Sequence, residues 1–236
     1  MIKVRAIRNI KAVFIKQITS YFRNPAMLGT PVAFLLIPFA ILLLVPNAGD
    51  DAQRRLIVAQ FVVMFVGISM IGTSTGFIME DRQTMNLRFM GMAGVKPYQY
   101  LLSTCATLLI ISFTSLLLFG LMGRYSGQEL VTFYVITMLG AANSMLLGIT
   151  LGLSKFAPFS PIVGVLLGVG PIFADANETL ATIFSYTYTH QVNTFVRGEA
   201  YYPIAMQVVL INLAVLVVAF ILMNSRYGLD GERLNV

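Results

Sequence analysis

Charge is scarce in this sequence. Of its 236 residues 11% are Asp, Glu, Lys or Arg, 57% are hydrophobic, and mean hydropathy is +0.80. A soluble domain averages about 25% charged and about 45–50% apolar residues. An ordinary soluble fold is therefore excluded, and so are a nucleic-acid module and a disordered tail. Cys105 is the one cysteine, so an internal disulfide and a cysteine metal cluster are both excluded; in its apolar run it reads as a small core residue. His190 is the one histidine and cannot make a histidine metal site alone. None of the five lysines, Lys3, Lys11, Lys16, Lys96 and Lys155, stands in a phosphate-binding G-x-x-x-x-G-K-[ST] context. No acid, base and nucleophile cluster together. No charge lies securely inside an apolar run, as an ion-coupled carrier needs. The chain reads as no enzyme, with no cofactor and no energy source of its own.

What is present is apolar length. Six runs stand out: 28–45, 57–79, 100–122, 131–153, 162–174 and 203–223. A membrane-spanning helix needs about 20 apolar residues. The fifth run is short, flanked by Pro158, Pro161 and Pro171, with Gly164, Gly168 and Gly170 inside it, so a broken or kinked span is expected there. The expectation is one all-α membrane domain over 1–236 with six transmembrane helices.

Residues 1–27 carry Lys3, Arg5, Arg8, Lys11, Lys16 and Arg23 and no acid. At 100° per residue Ile7, Ile10, Phe14, Ile18, Tyr21 and Phe22 share one arc, and Arg5, Arg8, Asn9, Lys16, Thr19 and Ser20 lie opposite. That pattern predicts an N-terminal amphipathic helix lying in the headgroup plane, ended at Asn24-Pro25. The basic region is too long, and lacks the cleavage site, for a signal peptide.

With both termini on one side, twelve basic residues fall on that side, against Arg54, Arg55, Arg124 and Arg197 on the other. The excess of Lys and Arg marks the cytoplasmic face, so both termini are expected there. The same asymmetry accounts for the net charge of +6 without a nucleic-acid partner; the bilayer is the partner it calls for.

Three groups of residues could carry function. Gly140, Ser144, Gly148 and Gly152 repeat at i+4 and form one ridge of small residues, suited to close packing of helices in lipid. That packing is either within the chain or between two protomers. The second run carries Ser69 and Thr73 with Ser74 and Thr75, whose hydroxyls can bond back to helix carbonyls. Asn143 and Asn212 need partners on neighbouring helices, because a bare amide in hydrocarbon is costly; a substrate contact is the second reading. The segment 80–97 begins Glu80-Asp81-Arg82 and continues through Leu87, Arg88 and Phe89. Acids at its start and Arg88 later suit a helix dipole. Its Met85, Leu87, Phe89, Met90 and Met92 are too apolar for a plain loop and suggest a docking surface; a helix lying back on the bilayer is the alternative. The outer loop 175–202, with Tyr186, Tyr188, Tyr201 and Tyr202, predicts short re-entrant helices at the interface. The sequon at Asn177 is read as accidental.

Phe22-Arg23-Asn24-Pro25, Glu80-Asp-Arg82, Leu87-Arg88, Val95-Lys96-Pro97-Tyr98 and the loop with Tyr186-Thr-Tyr188 and Phe195-Val-Arg197 together resemble the permease subunit of type-2 ATP-binding-cassette (ABC) exporters. Many members have an acidic stretch and Gly-Thr where this chain has Gln83-Thr84-Met85-Asn86. The resemblance implies a cytoplasmic coupling helix after the second span, seated in a separate ATPase through Glu80, Arg82, Leu87, Arg88 and Phe89. It implies two ATPase copies that bind ATP and Mg, and a second permease chain making a homo- or heterodimer. It also implies a pathway lined by the second and fifth spans, with Ser69, Thr73, Gly164 and Gly168 as candidates. The expected function is outward transport of an amphipathic or lipid-like substrate, a peptide, drug or glycolipid, at a bacterial cell membrane. The alternatives are a non-transporting sensor or immunity protein against antimicrobial peptides, and an ion-coupled secondary carrier.

Overall fold

The computed structural model describes residues 2–44, 50–174, 177–198 and 202–227. The end of the first apolar run at Val45, parts of the loop 175–202 and the tail from residue 228 lie outside the described residues. Every regular element among the described residues is helical. Five helices are long and apolar enough to cross a membrane, and the chain is compatible with a multi-pass membrane protein.

Helix α1 runs Ile2–Arg23 and α2 runs Pro25–Leu44, with only Asn24 between them. Pro25 opens α2, where its missing N–H would have had no partner. Pro31 and Pro38 lie inside α2, two turns apart and both buried. The next helix is continuous for 33 residues. It comprises α3 (Asp51–Met64), a π-helical segment Phe65–Ser69, and α4 (Met70–Gln83). A short α5 (Asn86–Met92) leads to α6 (Pro97–Met122) and α7 (Gly127–Leu153). A 3₁₀ turn at Ala157–Phe159 precedes α8 (Ser160–Phe173); α9 (Glu178–Ser185), α10 (Tyr188–Arg197) and α11 (Tyr202–Tyr227) follow.

The fifth apolar run departs from expectation. Helix α8 is unbroken, but its 14 residues extend only about 21 Å at the α-helical rise, short of the roughly 30 Å hydrocarbon core. The next two helices fold back on the bundle. Asn193 of α10 donates to the Pro171 carbonyl at 3.3 Å, and Tyr188, Val192 and Val196 are buried against the bundle. Asn177 caps α9, its side chain accepting from the Thr179 N–H at 2.8 Å.

Helices α3, α4 and α7 form the centre, with α6, α10 and α11 around them. The core holds Val62, Phe65, Val66, Phe77, Phe119, Phe133 and Ile136. Aliphatic faces of α2, α6, α8 and α11 stay outward. In water that exposure would be untenable; facing lipid tails, it costs nothing.

Candidate functional site

The middle of the long second helix is where α8 comes closest. A Cβ on Gly67 would lie 2.5 Å from the Gly168 Cα, and one on Gly164 would lie 3.3 Å from the Ile68 Cα. Side chains at these positions would force the backbones apart. The π segment sits at this crossing, and such bulges recur at functional sites. It sets Gly164 and Gly168 against Gly67 and Ile68, while Ser69 and Thr73 line a groove beside Ile68. Ser69 is 1% exposed, and its Oγ has no hydrogen-bond partner among the described residues.

The small-residue ridge of α7 packs within the chain. A Cβ on Gly148 would meet the Ser74 Oγ, and would lie 2.6 Å from the Ile71 carbonyl. Thr75 uses that closeness and donates to the Gly148 carbonyl at 2.9 Å. Gly152 faces Ile78, and Gly140 faces Val192. Ser144 shares a hydrogen bond with the Tyr188 hydroxyl at 2.8 Å. Asn143 donates to the Val209 carbonyl at 3.3 Å, and Asn212 to the Tyr186 carbonyl at 2.9 Å.

The end of α4 differs from the sequence expectation. Glu80 and Asp81 belong to the last turn of α4, not to the start of the following helix. Acids at a helix C-terminus oppose its dipole, so they need other partners, and α1 supplies them. Asp81 is 1% exposed and pairs with Lys16. Its Oδ2 accepts from Gln17 Nε2 at 2.9 Å and from the Tyr100 hydroxyl at 2.9 Å. Asn86 donates to Oδ1 at 3.3 Å. Glu80 accepts from Ser20 Oγ at 2.9 Å and Asn24 Nδ2 at 3.3 Å. These bonds seat α1 against α4 and the start of α6. Ser103 extends the seam by donating to the Ile10 carbonyl at 3.0 Å.

Of the apolar arc expected to face the bilayer, the seam buries only Tyr21. Val13, Gln17 and Tyr21 are the buried stripe, while Ile7 and Phe22 are exposed. Burial pushes the Tyr21 hydroxyl up to about 12 from its usual 10. The charge network selects the buried face, and Ile7 and Phe22 are left outward.

Beyond α4 the chain reverses at Met85, whose φ of 56° is left-handed. Helix α5 follows. Leu87 is buried and anchors it; Phe89, at 59% exposure, points outward with Met85 and Met92. Arg82 reaches across to α7 and donates to the carbonyls of Gly152 at 2.8 Å and Ser154 at 3.4 Å. It thereby satisfies carbonyls that a helix end leaves open. Arg82, Leu87 and Arg88 line an open cavity of about 360 Å³ together with Ser154 and Pro158.

The opposite end is tied by Arg55, which pairs with Glu129 at 2.7 Å and covers the Tyr125 ring at 4.7 Å. The Tyr125 hydroxyl donates to the Val196 carbonyl at 2.7 Å, fastening α10.

Reading the sequence missed Asp81, Gln17 and Tyr100 as a constellation. A signal existed: Ser74, Phe77, Ile78 and Asp81 fall at helical spacing on one face of α4, and all are buried. Among the described residues no group of three or more His, Cys, Asp or Glu could hold a metal. No family model, curated protein or solved structure matches the chain.

Proposed function

We propose that the chain is the membrane-spanning permease subunit of an ATP-driven exporter of the type-2 ABC class, moving an amphipathic or lipid-like substrate outward. The observation that carries this reading is α5. A seven-residue helix hung on a left-handed turn, anchored by Leu87 and holding Phe89, Met85 and Met92 away from the bundle, suits insertion into a partner. Exposed apolar clusters of this kind mark interaction sites.

In this reading the α5 end is cytoplasmic, in keeping with the excess of basic residues there. The partner is a separate ATPase in two copies, which binds ATP and Mg. Two permease chains form the transporting unit in a bacterial cell membrane. Leu87 and Phe89 seat the coupling helix, and Arg88 lies at its rim. Glu80 and Arg82 link that helix to α1 and α7, so a push on α5 reaches both. Ser69, Thr73, Gly164 and Gly168 border the path.

The test is coexpression with an ABC ATPase from the same genome. Copurification and ATP-dependent efflux of an amphipathic dye are expected, with efflux abolished by a hydrolysis-dead ATPase. Protection of cells that persists with the dead ATPase would overturn transport in favour of sensing or immunity.

A further inference from the structure

A groove of about 490 Å³ opens on the flank of the bundle between α2, the π segment with α4, and Pro161 at the start of α8. Met27, Ile68 and Met79 give it apolar walls, and Gly72 gives it bare backbone. Ser69, Thr73 and Glu80 also line it. They stand at i, i+4 and i+11, on one helix face. Ser69 carries a buried hydroxyl without a partner among the described residues, which a native fold rarely leaves.

Glu80 is the one charged residue lining this groove among the described residues. Among the described residues its carboxylate accepts from the neutral Ser20 and Asn24 side chains. No described cation lies within ion-pair distance of it. Asp81 beside it is the contrast, since Lys16 pairs with it. The two neighbouring acids have divided: Asp81 is paired with Lys16 inside the fold, and Glu80 lines a groove with apolar walls, bonded to neutral side chains. An anion brought into the groove would face Glu80, and the groove itself offers no cation among the described residues; Lys16 and Arg23 line the adjoining depression that shares Glu80. A neutral apolar molecule would strip water from Glu80 and return nothing.

We infer that the groove binds an amphipathic amine. Its ammonium sits on Glu80, its apolar body lies along Met27, Ile68 and Met79, and a hydrogen-bonding group meets Ser69 and Thr73. This names a substrate class for the exporter proposed above and rests on that reading only for transport. Binding itself requires no ATPase.

The ammonium could belong to a free cationic amphiphile or to a phosphoethanolamine lipid. Arg23 separates these sources, because it lines the adjoining depression together with Glu80. Its guanidinium attracts a lipid phosphate and repels a bare amine. Arg23→Ala should therefore weaken lipid binding and leave or improve that of the free amine.

The experiment titrates the purified full chain in maltoside micelles with dodecylamine at pH 7, dodecanol, dodecyl sulfate and phosphatidylethanolamine. Calorimetry measures affinity, and melting temperature reports folding. The wild type should prefer dodecylamine over dodecanol by at least about tenfold. Glu80→Gln should remove that preference and keep the alcohol affinity. Gly72→Leu is the second variant. A Cβ at Gly72 meets nothing within 4 Å, so a leucine side chain starts in open space and should occupy the groove; binding of both probes should vanish with melting unchanged. Equal affinity for amine and alcohol, a preference for dodecyl sulfate, an unchanged preference in Glu80→Gln, or undiminished binding in Gly72→Leu would each overturn the assignment. Failed amine binding alongside ATPase copurification sinks only this assignment. Amine binding without any ATPase partner sinks only the exporter.

Discussion

The hydroxyl of Tyr100 donates to Oδ2 of Asp81 at 2.9 Å, so the first turn of α6 is bonded to the last turn of α4. The chain between them contains all of α5. The bond closes that loop at its base, and Lys16 and Gln17 of α1 bind the same carboxylate. Asp81→Ala should therefore loosen three helices at once. Removing one member of a buried pair costs about 3–5 kcal/mol. Lys16 is 34% exposed, so solvent lowers the expected loss to about 2–3 kcal/mol. Lys16→Met strands the Asp81 carboxylate, 1% exposed, without its cation, and should cost about 3 kcal/mol or more. Melting temperature in detergent checks the order; a Lys16 variant more stable than Asp81→Ala would refute it.

Gly148 lies where α7 touches α4 at backbone distance. Gly148→Leu should disturb folding, since a Cβ there already crowds the Ser74 side chain and the Ile71 carbonyl. Overpacking costs about 1–3 kcal/mol or more. Gly29→Ala is the control: nothing lies within 4 Å of its Cβ position, and alanine in a helix interior gains about 0.5–1 kcal/mol over glycine. Yield and melting temperature of the two should move in opposite directions.

Phe89→Asp should leave folding intact, because Phe89 is 59% exposed and lies outside every apolar run. It should cut ATPase binding about thirtyfold or more, as loss of an interface anchor above about 2 kcal/mol implies. Arg82→Ala should do the reverse. It leaves the Gly152 and Ser154 carbonyls without their donor, at about 0.5–1.5 kcal/mol of stability, and weakens binding little. Pull-down and melting temperature separate the two. Normal binding by Phe89→Asp would place the partner elsewhere.

Tyr125 supplies a pH signature at the other end. Burial pushes its hydroxyl up to about 12 from the usual 10, with the Arg55 cation opposing. The fold thus favours the neutral phenol, whose contribution is intact below pH 10 and lost as pH rises from 10 to 12. Tyr125→Phe should cost about 1 kcal/mol at pH 8, through the missing bond to Val196. The gap between wild type and variant should shrink by pH 11. A constant gap in melting temperature would show that Tyr125 does not titrate with the fold.

The all-helical architecture and the positions of the long apolar helices follow from sequence alone. Lipid admits only segments that satisfy their own backbone bonds, so apolar runs and the prolines at 25 and 97 suffice to place α2, α6 and their neighbours. The ridge from Gly140 to Gly152 was equally visible, because i+4 spacing is local. Its partner helices were not. Tertiary structure alone decided that Asp81 is buried and Glu80 is not, that α1 turns Gln17 inward, and that α8 stops short of a full span. The acids Glu80 and Asp81 are chain neighbours with like chemistry, so no local rule separates them. Their difference comes from Lys16, 65 residues away, and from Tyr100 across the α5 loop. The cost of burying a charge is repaid only where such distant donors converge, and only the folded chain determines where that is.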